Sequence, residues 1–246
     1  MVLTCFVVAG GLVAYVSIRP HQPWLLGLTA LLAALACDGL VRSNPAWRGR
    51  GLFSSLPFLF LPLLTTLAAG LFIHDAVNGF ARPALAVAAS LLTALVAYGE
   101  YHTVDFRSRM YGPVRLILAV LTYLTAFALY AVLWGQDLEL PVASVAVGLV
   151  SMLLAIELLR ESHLSGPSSP LVGMAVGLSL GELRLALYFF PLDELLAGAL
   201  LIIGFYLATG LVHHLLDRDL DAATASEYFV VALVGTAAVV FTRLLV

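Results

Sequence analysis

The sequence LVGMAVGLSLGELRLALYFF, residues 171–190, is apolar and long enough to cross a bilayer as a helix, which takes about 20 residues. Gly173, Gly177 and Gly181 recur at every fourth position and therefore line one side of that helix. Small residues at this spacing let a second helix approach closely. We therefore expect this stretch to be the central helix of a bundle, packed against another helix of the chain.

Two charged side chains, Glu182 and Arg184, lie inside this stretch. Positions two apart point to nearly opposite sides of a helix, so these two cannot pair with each other. Arg184 falls near the glycine side and Glu182 on the far side, beside Ser179. An unpaired charge in hydrocarbon is costly, so we expect both to be buried, each with a different partner on another helix or in trapped water. Glu182, Arg184 and Ser179 are thus candidates for an ion or substrate path, and the alternative is an ionic contact that only fixes helix packing.

The composition is that of an integral membrane protein. Hydrophobic residues make up 62% and charged residues 11% of the 246 residues, and the mean hydropathy is +1.03. Apolar spans and short connections fill the sequence, which predicts an all-α, polytopic helix bundle forming a single transmembrane domain over residues 1–246. All twelve basic residues are arginine, which excludes Schiff-base chemistry on a lysine.

About nine transmembrane helices are expected. Residues 87–97 align with 145–155 at an offset of 58, which suggests repeated helical hairpins, although alanine- and leucine-rich helices also align by chance. Ser169 is the expected N-cap of the seventh span with Pro170 at its first position, and Thr224 with Glu227 has the spacing of a capping box. The expected spans are residues 1–19, 24–41, 52–73, 83–102, 114–134, 142–160, 171–190, 195–216 and 224–246.

The third expected span contains two prolines. Pro57 falls in its first turn, where proline is tolerated, whereas Pro62 lies inside the span and should kink the helix and free a carbonyl group. Thr65 and Thr66 follow one turn later, and hydroxyls at such positions often satisfy freed backbone groups. A broken helix of this kind also occurs at ion and substrate sites, although prolines are more often found in spans with no such role.

Arginine distribution predicts the orientation. With a cytoplasmic N-terminus, eight arginines lie on the inner side and three on the outer side, a bias that fits the positive-inside rule. We therefore expect a multi-pass protein of the cell inner membrane with its C-terminus external. The inner arginines are Arg42, Arg48, Arg50, Arg107, Arg109, Arg115, Arg160 and Arg218, and the outer ones are Arg19, Arg82 and Arg243.

Histidines and carboxylates gather at the cytoplasmic ends of the even-numbered spans. His213 and Asp217, four residues apart, share a helix face, as do His102 and Asp105, three apart. Together with His214 these side chains suggest a divalent metal site, for which zinc is the model, and the alternative is a set of solvated helix ends. The full cytoplasmic rim comprises Asp38, Glu100, His102, Asp105, Glu157, His163, His213, His214 and Asp217.

Three functions fit these patterns. A transporter or permease for a small solute or ion would use Glu182 and Arg184. A membrane-embedded enzyme acting on lipid would use the cytoplasmic rim, and a structural subunit of a larger membrane complex would need neither. The sequence has no P-loop, dinucleotide fingerprint, nucleophile elbow or nucleic-acid patch. The expected partners are membrane lipid, a solute or ion, and further copies or other membrane subunits, but not nucleic acid.

Overall fold

A computed structural model describes residues 2–18, 22–49, 52–77, 79, 81–161, 168–217 and 221–245. This part of the chain is helical and contains no strand, which confirms the predicted fold class. Its nine α-helices are α1 (Val2–Ser17), α2 (Pro23–Arg42), α3 (Pro57–Ala76), α4 (Ala81–His102), α5 (Tyr111–Gly135), α6 (Leu140–Leu158), α7 (Ser168–Leu187), α8 (Glu194–Asp217) and α9 (Ala222–Leu245).

Eight of the helices, α2 to α9, are long and apolar enough to cross a membrane. The chain is therefore a multi-pass membrane protein. The first helix is also apolar, but its described part, Val2–Ser17, has 16 residues, shorter than the roughly 20 that a crossing takes. Short 3₁₀ turns, Leu52–Ser55 and Leu159–Glu161, precede α3 and follow α6.

Two helix starts differ from expectation. The seventh helix begins at Ser168, so Pro170 is its third residue instead of its first. Proline is compatible with that place because backbone N–H groups of the first turn have no intrahelical acceptor. The ninth helix begins at Ala222, and the Asp221 carboxylate accepts the Thr224 N–H at 2.7 Å. Asp221 is thus the N-cap, and the expected capping box of Thr224 and Glu227 is wrong.

The chain forms two compact units, Met1–Thr125 and Ala126–Val246, with the boundary inside α5. In the first unit, α1, α2, α3 and α4 pack together. Their shared core includes Leu12, Tyr15, Leu26, Ile73 and Ala86. A second cluster at the other end of α2 includes Cys37, Val41, Phe58, Ala97 and Val104.

Pro62 lies inside α3 and has no N–H, so the carbonyl of Phe58, four residues earlier, loses its helical donor. The buried Cys37 thiol of α2 donates to that oxygen at 3.4 Å. Thr66 instead donates to the Pro62 carbonyl at 2.8 Å. Thr65 is hydrogen-bonded to Thr125, with 3.1 Å between the hydroxyl oxygens. The expectation that a threonine satisfies the freed carbonyl is therefore wrong, because a thiol from the neighbouring helix does so.

The second unit contains the end of α5 together with α6 to α9. Tyr130 is fully buried there, hydrogen-bonded to Ser151 at 2.6 Å and packed edge-on against Phe205. The ring of Tyr228 on α9 packs against Gly210 of α8, where a side chain would collide with it. Most of α9 is exposed and apolar, which suits a helix that borders lipid.

Candidate functional site

The glycine stripe of α7 lies directly against α6. A Cβ atom built on Gly177 would lie 2.5 Å from the carbonyl oxygen of Gly148, and one built on Gly148 would lie 2.9 Å from the oxygen of Gly177. A Cβ on Gly181 would similarly lie 3.1 Å from the oxygen of Ser144. The backbones of the two helices therefore touch, which is the close approach that the small-residue spacing predicts.

A surface groove of about 350 Å³ runs between these two helices. Its bulky residues, such as Val145, Leu149 and Leu178, are more than half exposed. Ser144 and Glu182 are the polar side chains in an otherwise apolar lining. We call this feature the α6–α7 groove, and its central residues are Val145, Gly148, Leu149, Gly177, Leu178 and Glu182.

Glu182 is exposed at the edge of this groove. Within the described chain its carboxylate has no hydrogen-bond or ion-pair partner. The expectation that Glu182 is buried is wrong, because α7 packs against α6 and α8 and leaves this side of the helix uncovered. Ser179 lies on the same side, and its hydroxyl donates to the Ala175 carbonyl of its own helix at 3.0 Å.

Arg184 lies on the opposite side of α7 and is buried, with 6% of its surface exposed. Its Cζ atom lies 3.8 Å from the centre of the Trp134 ring, a cation–π contact. Nε and Nη1 are enclosed and have no hydrogen-bond partner among the described residues. Arg184 is therefore buried, as expected, and its partner on another helix is an aromatic ring.

Trp134 is itself held in place. Its Nε1 donates to the carbonyl of Leu192, in the connection between α7 and α8, at 3.2 Å. The same connection accepts a hydrogen bond from Arg243 of α9, whose Nε lies 3.0 Å from the Pro191 oxygen. The last turns of α5, α7 and α9 are thus linked at one end of the second unit.

The rim residues proposed as metal ligands make other contacts. His213 Nδ1 and Asp217 Oδ2 are 3.1 Å apart, on the shared face that the spacing predicts. The ring of His214 packs against Tyr228. In the first unit, the ring of His102 packs edge-on against Tyr98, and the Asp105 carboxylate accepts the backbone N–H of Arg107.

The remaining rim carboxylates have neighbours on their own helices or nearby. Asp38 pairs with Arg42 at 2.8 Å and accepts the hydroxyl of Ser55. Glu100 and Glu157 are fully buried, the first with a hydrogen bond from Thr103 and the second with Arg160 at 3.2 Å. His163 lies outside the described residues. No three His, Cys, Asp or Glu side chains of the described chain lie together as metal ligands would.

Sequence reasoning missed two contributors to this region. Gly148 and Ser144 of α6 supply the surface against which α7 packs, and their four-residue spacing is the available signal. Trp134 is recognisable only as an aromatic residue near the end of a span. Its contact with Arg184 depends on how the end of α5 approaches α7, which no local pattern encodes.

No curated protein and no solved structure matches the chain. A family model described as "Protein of unknown function (DUF5656)" matches residues 3–242. Because this match extends from α1 into the last turns of α9, the chain belongs to the DUF5656 family.

Proposed function

We propose that this protein is a structural subunit of a larger membrane complex. In this proposal the α6–α7 groove binds a transmembrane helix of another subunit, and a lysine or arginine of that helix pairs with Glu182. The supporting observation is an exposed carboxylate, without a partner in the described chain, at the edge of an apolar groove.

The position of Glu182 within the membrane-spanning part of α7 supports this proposal. It lies five positions before the end of α7, about 7.5 Å along the helix axis at 1.5 Å per residue. Ionisable side chains within transmembrane segments face protein or water in nearly all cases, because hydrocarbon does not solvate their charge. A basic side chain on a second helix would compensate the carboxylate and would make the contact specific.

The shape of the groove fits a helix. The glycines lie at its floor and larger apolar residues form its walls, which allows close approach of another backbone. On α7 the lining runs from Met174 to Leu185, which is about 16 Å, or three helical turns. An amphipathic or transmembrane helix laid in a groove makes contacts over such a length.

The other two functions have less support. A path for a solute or ion needs polar groups along a hydrated route, whereas the groove beside Glu182 has an almost wholly apolar lining. An enzyme at the rim needs an open metal site, whereas His213 and Asp217 pair with each other. In this proposal the protein lies in the inner membrane with the cytoplasmic N-terminus that the arginine distribution predicts. Lipid covers its other exposed apolar faces.

Site-specific photo-cross-linking in native membranes tests the proposal. A photoreactive residue at Leu178, inside the groove, should give one discrete adduct, and Glu182→Gln should abolish it. The same group at Leu124 of α5, which is 58% exposed against 62% for Leu178, is the matched control and should give no such adduct. Equal adducts from both positions, or an adduct insensitive to Glu182→Gln, would refute the proposal.

The cross-linked segment then has to carry the complementary charge. We expect a transmembrane helix with a lysine or arginine near the depth of Glu182. Exchanging the charges, with Glu182→Arg here and the basic residue changed to glutamate there, should restore an adduct that each single change abolishes. A cross-linked homodimer would instead assign the groove to a second copy of this chain.

A further inference from the structure

We propose that Arg184 and Trp134 form a binding site for an oxyanion, a phosphate or carboxylate group, at the end of the second unit where α5 and α7 terminate. This inference is independent of the proposed subunit role, because Arg184 and Glu182 lie on opposite sides of α7. It rests on a buried cation that has no counter-charge among the described residues.

The guanidinium group retains its charge under all physiological conditions and carries five N–H donors. In Arg184 the Nε and Nη1 donors are enclosed and unpaired within the described chain. The Trp134 ring covers one face of the group and attracts the cation. A ring accepts nothing in the guanidinium plane, however, so the in-plane donors still lack acceptors. An oxyanion is the ligand whose geometry matches them, since it can accept two parallel N–H groups.

The acids at this end of the unit do not supply that counter-charge. The Asp193 carboxylate accepts the backbone N–H of Leu196 at 3.3 Å, at the start of α8. Glu194 is exposed, and its carboxyl group lies against Gly135. Neither forms an ion pair with Arg184 or with any other described residue. Arg184 therefore has no counter-charge within the described chain.

Hydrogen bonds within the second unit hold the Trp134 side of the site in place. Leu192 fixes the Trp134 ring through its carbonyl, and Arg243 holds the neighbouring Pro191. Because Nε and Nη1 of Arg184 are enclosed, binding requires the side chains around them to move aside, and pairing the buried charge offsets that cost. Arg184 lies three positions before the end of α7, about 4.5 Å from the helix terminus. That depth suits the phosphate of a lipid headgroup, and it also suits a small anion arriving from water.

Thermal unfolding of the full chain tests the site with two probes. The first is inorganic phosphate added to protein in a neutral detergent at constant ionic strength. The second is reconstitution into nanodiscs of phosphatidylcholine with phosphatidylglycerol, compared with phosphatidylcholine alone. We expect at least one probe to raise the unfolding midpoint, because a ligand that binds the folded state stabilises it. A response to phosphate identifies a soluble anion, and a response to phosphatidylglycerol alone identifies a lipid headgroup.

Variants connect that response to Arg184. Arg184→Met should abolish the shift, and Arg184→Lys should weaken binding about tenfold because lysine lacks the paired donors. Arg109→Met is the control, since Arg109 is exposed and has no partner in the described chain, and it should retain the shift. Size-exclusion profiles and helical circular dichroism establish that each variant is folded. No shift with either probe, or an equal shift in folded Arg184→Met, would overturn the proposal.

Discussion

The third and seventh helices both carry polar groups inside apolar spans. Those of α3 are hydrogen-bonded within the chain, whereas the two charged side chains of α7 are not hydrogen-bonded to any described residue. In α3 the free carbonyl of Phe58 is bonded by Cys37, and the hydroxyls of Thr65 and Thr66 have acceptors or partners in the same unit. In α7 neither Glu182 nor the Nε and Nη1 of Arg184 has a hydrogen-bond partner in the described chain.

This difference distinguishes polar groups that stabilise the fold from polar groups that can bind other molecules. A buried group that is paired inside the chain contributes to folding, and its removal leaves its partner unsatisfied. A buried charged group without an opposite charge inside the chain lowers stability until something else binds it. We therefore assign the polar groups of α3 a structural role and the two charges of α7 a binding role.

The largest expected effect concerns the packing that presents the two charges of α7. Gly177→Leu places a side chain where the Gly148 carbonyl lies, and we expect destabilisation of about 3 kcal/mol, the upper end for overpacking. Thermal unfolding in detergent measures it. The control is Gly27→Leu in α2, where a Cβ would meet no atom within 4 Å. Equal midpoints for the two variants would show that α7 does not need its contact with α6.

A smaller effect is expected in α3. Thr65→Val and Thr125→Val each remove one hydroxyl of a buried pair while keeping the shape of the side chain. A double-mutant cycle should give a coupling of about 0.6 kcal/mol, the average for polar pairs between transmembrane helices. Additive effects of the two substitutions would mean that this pair does not stabilise the unit. The structural role assigned to the polar groups of α3 would then be wrong for this pair.

The smallest expected effect lies outside the spans, at the start of α9. The Thr224 backbone N–H holds the pKa of the Asp221 carboxyl below its usual value. The resulting stability is present above the unfolded pKa of about 3.9, and it is lost as the pH falls through the lower folded pKa. Asp221→Ala should remove this slight acid dependence of unfolding, whereas Glu227→Ala should not. The reverse result would reinstate the capping box.

Much of the fold follows from local patterns. Apolar length and composition predict the nine helices of the described residues, eight of which are long enough to cross a membrane, because membrane-spanning segments must satisfy their own backbone. The starts of α7 and α9, at Ser168 and Ala222, differ from expectation because several adjacent residues suit an N-cap equally well. The freed carbonyl of Phe58 follows from Pro62, but its donor, Cys37, is 21 residues away in sequence and depends on how α2 and α3 pack.

The candidate site was predictable only in part. Helical geometry correctly separates Glu182 and Arg184 onto different sides of α7, and the glycine spacing marks the side that packs closely. Which of the two charges is buried depends on where α6 and α8 lie, and this is a property of the assembled unit. The Trp134 ring under Arg184 likewise comes from another helix.

The central claim is that the two charges of α7 have their opposite charges outside this chain. The direct measurement is the thermal stability of purified wild type, Glu182→Gln and Arg184→Met in neutral detergent without phosphate or anionic lipid. We predict an unchanged midpoint for Glu182→Gln and a raised midpoint for Arg184→Met, because the latter removes an unpaired buried charge. A loss of about 3–5 kcal/mol in either variant, as expected when one member of a buried ion pair is removed, would contradict the claim.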